Sequence, residues 1–579
     1  MSDKKKPNRT SVVVIVIVAI LMLGVCIGAV CYKLLGPVGT FVNLKVYLGL
    51  SSADEYAISV NMVQSSYKAK KYEDMVYLPL DMVVESVDER FYYDSSVGAI
   101  LYAMPTQLMT IYPNTASYEV GGVSMDSYYC PFLLSGSDKY IASSFVSELS
   151  GCNIGIYDDE STVVLWDVPD TLSEMEVSVL PLKGSSGTIR TQATIRGSIV
   201  KNVTKDDVIY LIDTEDDWHL VMTDKGLHGY IKSSQVRADA AQSVTMINSA
   251  KYDYTNISMD DDVVLVWHQV SSPDAAAQTE AMQSRIANTS GVNVISPTWY
   301  SLAAEEGYYS STASAQYVEA AHSMGLKVWA LVNNFNNEVN NYKFLTTYEY
   351  RQRFIKGIVG EVLSIGADGI NIDFEAGSTG YGGINKDCGP AFLQFLRELS
   401  IECRNNSLVL SVDNYVPMPY NMYYDRTEQG KIVDYVIVMG YDEHYAGSDA
   451  GSVASYDFVK NGIVNTLAEV DADRVINAIP FYTRVYNIDE AGAVLSSEAK
   501  SMAGMNDMLS AAGAEIIWDD VTKQNYSQFI YEDLRYVVWL ENAQSVQWKM
   551  DLIEEYKLAG VACWKLGLET TDMWSIIND

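Results

Sequence analysis

The chain has 579 residues, 48% of them hydrophobic and 20% charged, with a formal net charge of −34. That much apolar material fills more than one packed core and excludes a disordered polymer. A surface this acidic repels phosphate backbones and argues against a nucleic-acid partner, although plain solubility also accounts for it.

Lys4, Lys5, Lys6 and Arg9 precede an uncharged apolar run over 11–32. That run approaches the ~20 residues needed to cross a hydrocarbon core. The basic flank predicts a cytoplasmic tail, 1–10, and a body exported across the cell membrane on a single pass. A cleaved signal would have a shorter apolar core, ~7–15 residues, and a small-residue cleavage site. An uncleaved anchor is therefore expected. None of the seven cysteines forms a CxxC pair, so zinc ribbons and redox motifs have no support. Cys130 and Cys152 are left open as a bridge. Five histidines with no H-E-x-x-H spacing give no metal site and leave a zinc deacetylase or amidase without support. No cofactor is expected.

The block 36–170 alternates apolar residues with turn signals, as in Val76-Tyr-Leu-Pro-Leu80 and Thr162-Val-Val-Leu-Trp166. Its order of Tyr77-Leu-Pro-Leu-Asp81, Asp88-Glu-Arg-Phe-Tyr-Tyr-Asp94, Tyr140-Ile-Ala and a closing strand resembles the stalk domain named after the N-terminal domain of copper amine oxidases. The block contains no histidine, so the name implies no copper. The block 187–238 holds short β-rich runs between turns, among them Asp217-Trp-His-Leu-Val221 and Gly226-Leu-His-Gly-Tyr-Ile231. These predict a small β-barrel. Their order resembles bacterial Src-homology-3-type domains, which implies cell-wall binding or a spacer beside a catalytic domain.

From 253 to 579, eight apolar β-rich runs alternate with helical patterns: 263–267, 292–295, 326–331, 369–373, 408–412, 435–439, 475–479 and 560–564. Continuous apolar strands separated by helices predict an α/β fold with a covered parallel sheet, here a (β/α)₈ TIM barrel. The stretch 491–540 is too long for a loop and predicts a small inserted subdomain.

Asp368-Gly-Ile-Asn-Ile-Asp-Phe-Glu375 carries the chemistry. Alternation puts Ile370, Ile372 and Phe374 on the helix side and Asn371, Asp373 and Glu375 inside the barrel. Three polar groups on an inward face are costly to bury without a use, and they end a strand where barrel enzymes keep their sites. A buried structural network is the plainer alternative. The motif resembles the Asp-Gly-x-Asp-x-Asp-x-Glu strand of glycoside hydrolase family 18, with Asn371 in place of the usual aspartate. The wording is closest to the spore-germination and cortex-lytic branch. Val438-Met-Gly-Tyr-Asp442, Ile479-Pro-Phe-Tyr482 and Gly560-Val-Ala-Cys-Trp-Lys-Leu-Gly567 resemble the family's sixth, seventh and eighth strands.

The resemblance implies a retaining glycosidase assisted by the substrate's own 2-acetamido group. Glu375 is then the acid and base, Asp373 holds the acetamido N–H, and Tyr441 donates to the acetamido oxygen. Trp564 is the sugar floor. Asn371, Met439, Asp442, Tyr482, Arg484 and Glu541 are expected to line the cleft, with core packing an equal account of Met439. Asn371 is expected to hydrogen-bond Asp373. Trp267, His268 and Asn333 end earlier strands; for these, as for Tyr482 and Arg484, a structural role is at least as good an account. The implied partner is β-1,4-linked N-acetylhexosamine glycan, peptidoglycan ahead of chitin. The alternatives are a non-catalytic glycan-binding protein and a scaffold whose front domains do the work. Glu375, Asp373 and Tyr441 together argue for the enzyme.

Overall fold

A computed structural model of the chain describes residues 9–168, 174–248, 252, 254–376 and 382–578. Most of the basic tail, and the block edges expected at 170 and 253, lie outside them. The helix Arg9–Leu35 includes an apolar segment, Val16–Lys33, long and apolar enough to cross a membrane.

The chain divides into two compact units. The first comprises Met1–Phe91, Pro113–Ser117 and Asp126–Lys251. It holds a seven-stranded sheet drawn from 55–166 and a seven-stranded antiparallel sheet drawn from 175–246. Ile189, Val203, Val221 and Ile231 are buried in the core of the latter. Cys130 and Cys152 are both free thiols, so the bridge left open does not form.

The second unit comprises Tyr92–Tyr112, Tyr118–Met125 and Tyr252–Asp579. Its centre is a closed barrel of eight parallel strands: β1 (Val263–His268), β2 (Val294–Leu302), β3 (Lys327–Asn333), β4 (Gly369–Asp373), β5 (Val409–Tyr415), β6 (Tyr435–Met439), β7 (Val475–Pro480) and β8 (Gly560–Trp564). Each pairs in parallel with the next, and β8 closes on β1. All eight expected strands are present. Two hydrophobic layers result from the alternation. Leu265, Trp267, Leu331, Ile437 and Ala562 fill the barrel. Ile370, Ile372 and Phe374 pack outward beneath the helices. Each such side chain contributes about 1.5–3 kcal/mol when fully buried.

The covering helices follow their apolar spacing. In Tyr348–Ile365, Phe354, Ile355, Ile358, Val359 and Val362 fall on one buried stripe. The helix stops at Gly366, whose φ of 76° suits a residue without Cβ. The insertion starts earlier than the expected 491. It is a five-stranded antiparallel sheet running from Tyr482–Ile488 to Leu534–Leu540, with the helix Met502–Ala512 packed on it.

A further sheet, within 91–126, belongs mainly to this unit rather than to the block ahead of it. It is tied to the barrel's helices by charge. The Arg351 guanidinium, fully buried, pairs with Asp94 at 2.8 Å and Glu398 at 2.7 Å and donates to the Leu345 carbonyl at 2.6 Å. Arg404 and Asn405 donate to the carbonyls of Pro105 and Thr106.

Candidate active site

Strand β4 delivers its polar residues into the barrel in ascending order. Asn371 lies deepest and is fully buried. Its carbonyl accepts from Trp267 Nε1 at 2.9 Å and Ser296 Oγ at 3.2 Å. Its amide donates to Ser411 Oγ at 3.0 Å and Asp413 Oδ1 at 2.8 Å. All four hydrogen-bonding capacities are used, and none reaches Asp373. The expected Asn371–Asp373 bond is thus replaced by one to Asp413 on the neighbouring strand.

Asp373 stands one layer higher, 5% exposed, with Oδ1 buried and without a partner. Burial, then the charges of Glu375 and Asp413, pushes its carboxyl well above the ordinary range. Burial also raises Asp413 well above that range, against the pull of Asn371. Glu375 lies just past the strand end, partly buried. Its carboxyl is raised by burial and Asp442, and Tyr415, whose hydroxyl donates to Oε2 at 2.5 Å, draws it back down. Its backbone is clamped on both sides by the Asn334 side chain: the Glu375 N–H donates to Oδ1 at 2.9 Å, and Nδ2 donates to the Glu375 carbonyl at 3.0 Å.

Tyr441 follows β6 and is partly buried. Burial and then the nearby Asp373, Asp413 and Glu375 raise its phenol well above the ordinary value. Its ring meets Tyr482 edge-on at 6.4 Å, and the Tyr482 hydroxyl donates to Asp442. Trp564 ends β8, partly buried and edge-on to Trp267 at 5.8 Å. Met439 is 5% exposed and in register with Tyr415. Arg484, on the insertion's first strand, keeps a buried Nε without a partner. Glu541 departs from expectation. It is 2% exposed, with its oxygens taken by Lys549 at 3.0 Å, Ser545 at 2.8 Å and Gln524 at 2.6 Å. A carboxylate enclosed in this way braces the insertion against the helix Ala543–Glu555 and has no oxygen left for a sugar. His268 pairs with the Tyr317 hydroxyl at 2.8 Å, and burial lowers it to about 4, so it is neutral.

Asp413, Tyr415 and Asn334 escaped the sequence reading. The first two lie on the inward face of β5, two residues apart, so the same alternation applied to 411–415 finds them. Among the described residues no cluster suits a metal ion.

The family model for glycosyl hydrolases family 18 matches residues 229–569, more than half of the chain. The uncharacterized glycosylase YvbX of Bacillus subtilis is 26% identical over 291 residues, 47% of this chain and 80% of that protein. The cortical fragment-lytic enzyme of Bacillus subtilis is 26% identical over 236 residues, 40% of this chain and 53% of that protein. A chitinase from Chromobacterium violaceum superposes with a TM-score of 0.48 at 21% identity, covering 55% of this chain and 98% of that one. The chain belongs to family 18 of the glycosyl hydrolases, a family of glycosidases.

Proposed function

We propose that the protein hydrolyses β-1,4-linked N-acetylhexosamine glycan with retention, through the substrate's acetamido group, and that peptidoglycan is the preferred polymer. The observation that carries this reading is the partnerless buried Oδ1 of Asp373, an acceptor awaiting an N–H, beside the raised carboxyl of Glu375. Glu375 protonates the glycosidic oxygen as that bond to the anomeric carbon breaks. The acetamido oxygen attacks the same carbon and forms an oxazolinium ion. Asp373 accepts the acetamido N–H and stabilises the growing positive charge, while Tyr441 donates to the acetamido oxygen. Glu375, now ionised, takes a proton from water, which opens the oxazolinium and restores the starting configuration.

Exposed aromatics at the C-terminal rim support a long substrate. Phe335, Tyr420 and Tyr445, each more than half exposed, follow β3, β5 and β6. Rings so placed stack on successive sugars beyond Trp564. The wall as substrate takes support from the apolar helix, which would anchor the body outside the membrane with the basic tail inside. The block 36–170 then serves as a stalk of amine-oxidase type, and the block 187–238 as a wall-binding module of Src-homology-3 type. The relative named as a cortical fragment-lytic enzyme agrees with this choice.

The test is release of reducing ends from peptidoglycan and chito-oligosaccharides by the chain from Gly36 onward and by its Glu375→Gln variant. The variant should lose at least ~10²-fold in rate, the loss of a general acid. Equal binding without cleavage by both proteins would replace the enzyme with a lectin.

A further inference from the structure

A buried amide carries no exchangeable charge, and Asn371 occupies the floor beneath Asp373. The carboxyl that floor lacks stands on the next strand. Asn371 pairs with Ser411, and Ile372 with Val412, across the parallel β4–β5 ladder. One step further, Asp373 and Asp413 are side by side on the inward face. Asp413 is 1% exposed, and one of its oxygens is fixed by the Asn371 amide at 2.8 Å. We propose that Asp413 is the proton partner of Asp373, a positioning residue that takes the Asp373 proton when substrate binds and so leaves Asp373 ionised at the moment positive charge develops. The proposal rests on the hydrolase reading above.

The proton balance is simple. One proton passes from the Asp373 carboxyl to the Asp413 carboxylate, with no change elsewhere, and returns when product leaves. Glu375 and Asp413 repel an ionised Asp373, and Glu375 repels an ionised Asp413, with no cation among them, while the Asp373 and Glu375 side chains share a hydrogen bond above the pair. Asn371 and Ser411 on the same two strands and Trp267 on β1 are neutral, and so are the Tyr415 and Tyr441 hydroxyls. Neighbouring carboxyls buried without a counter-ion cannot all be ionised, so a proton is available to share. Asn371 is held from four sides, by Trp267, Ser296, Ser411 and Asp413. It therefore keeps the Asp413 carboxyl still and forces one geometry on the exchange.

The test moves the carboxyl. Asp413→Asn should lower kcat ~10- to 100-fold, below the full loss of a general acid. KM should hold. The acid limb of kcat, set by the ionisation of Asp373, should move to lower pH, because removing a negative neighbour lowers the pKa of Asp373. The exchange Asn371→Asp with Asp413→Asn returns a carboxyl to the layer beneath Asp373, and should restore most of kcat and the limb. A single variant with the parent's kcat and pH profile would overturn the proposal. So would an exchange variant that folds, by near-ultraviolet circular dichroism, and stays as slow as the single variant. If the parent cleaves no glycan, the hydrolase reading fails on its own. The proton is then read by infrared difference spectra of the protonated carboxyl stretch. A band lost in Asp413→Asn and shifted in Asp373→Asn supports sharing, and a band indifferent to Asp373→Asn refutes it.

Discussion

Tyr415 tunes the acid. Its hydroxyl donates to Glu375 and stabilises the ionised form, which lowers a carboxyl that burial has raised. Tyr415→Phe removes that donor, so the Glu375 pKa rises further and the alkaline limb of kcat/KM should move to higher pH, whereas Asp413→Asn moves the acid limb to lower pH. A pH–rate profile of the two variants side by side checks both signs. The same burial costs stability. A carboxyl whose pKa is raised on folding binds its proton more tightly in the native state, so its penalty is absent below about pH 4 and grows as pH rises through the folded value. Asp373→Asn should therefore raise Tm at neutral pH, with the gain fading toward pH 4, while activity falls. Thermal unfolding across that range measures it. At this scale the sequence was legible where chemistry and alternation coincide, at Asn371, Asp373 and Glu375. It was not legible at Asp413, because the apolar run taken as the fifth strand, 408–412, ends one residue short of it. Nor was it at Asn334, whose work on the Glu375 backbone is set by two strand ends meeting in space.

Among the elements, the eight barrel strands were readable because each is a short continuous apolar run between helical patterns. The insertion was readable as an excess of length, and its first edge was not. Tyr482–Ile488 begins two residues after β7 ends and continues the same β-rich composition, so the boundary lies in a change of partner, from parallel barrel neighbours to the antiparallel strands Val494–Ser501 and Leu534–Leu540. The last of those strands leads into Glu541 and its ion pair with Lys549, both about 2% exposed. Lys549→Met leaves a buried carboxylate without its cation and should cost about 3–5 kcal/mol. Replacing both partners together, Glu541→Gln with Lys549→Met, should cost much less. Denaturant midpoints of the single and double variants test the difference. Since Arg484 and Tyr482 sit on the same sheet, the single variant should also raise KM at temperatures where the parent is unaffected.

For the whole molecule, the order of blocks along the chain and the division into compact units are different things. Sequence patterning marks where composition changes, and it placed residues 92–125 with the block in front. Packing assigns most of them to the barrel's unit, because Asp94 completes a buried charge cluster that nothing in the spacing of 88–94 announces. Arg351→Met should unfold the second unit about 3–5 kcal/mol more easily by leaving Asp94 and Glu398 buried without their cation. Calorimetry of the chain from Gly36 onward would show that transition move.

That guanidinium also bears on how such a protein can change over evolutionary time. A catalytic barrel that is self-sufficient can be lifted out at its first strand and joined to new neighbours by a single recombination. Here a junction placed near 253 would leave behind the acidic partner that Arg351 requires. A junction ahead of Phe91 keeps that partner, so exchange of what lies upstream should fall there, and the enzyme's lineage should carry the sheet within 91–126 along wherever the barrel goes.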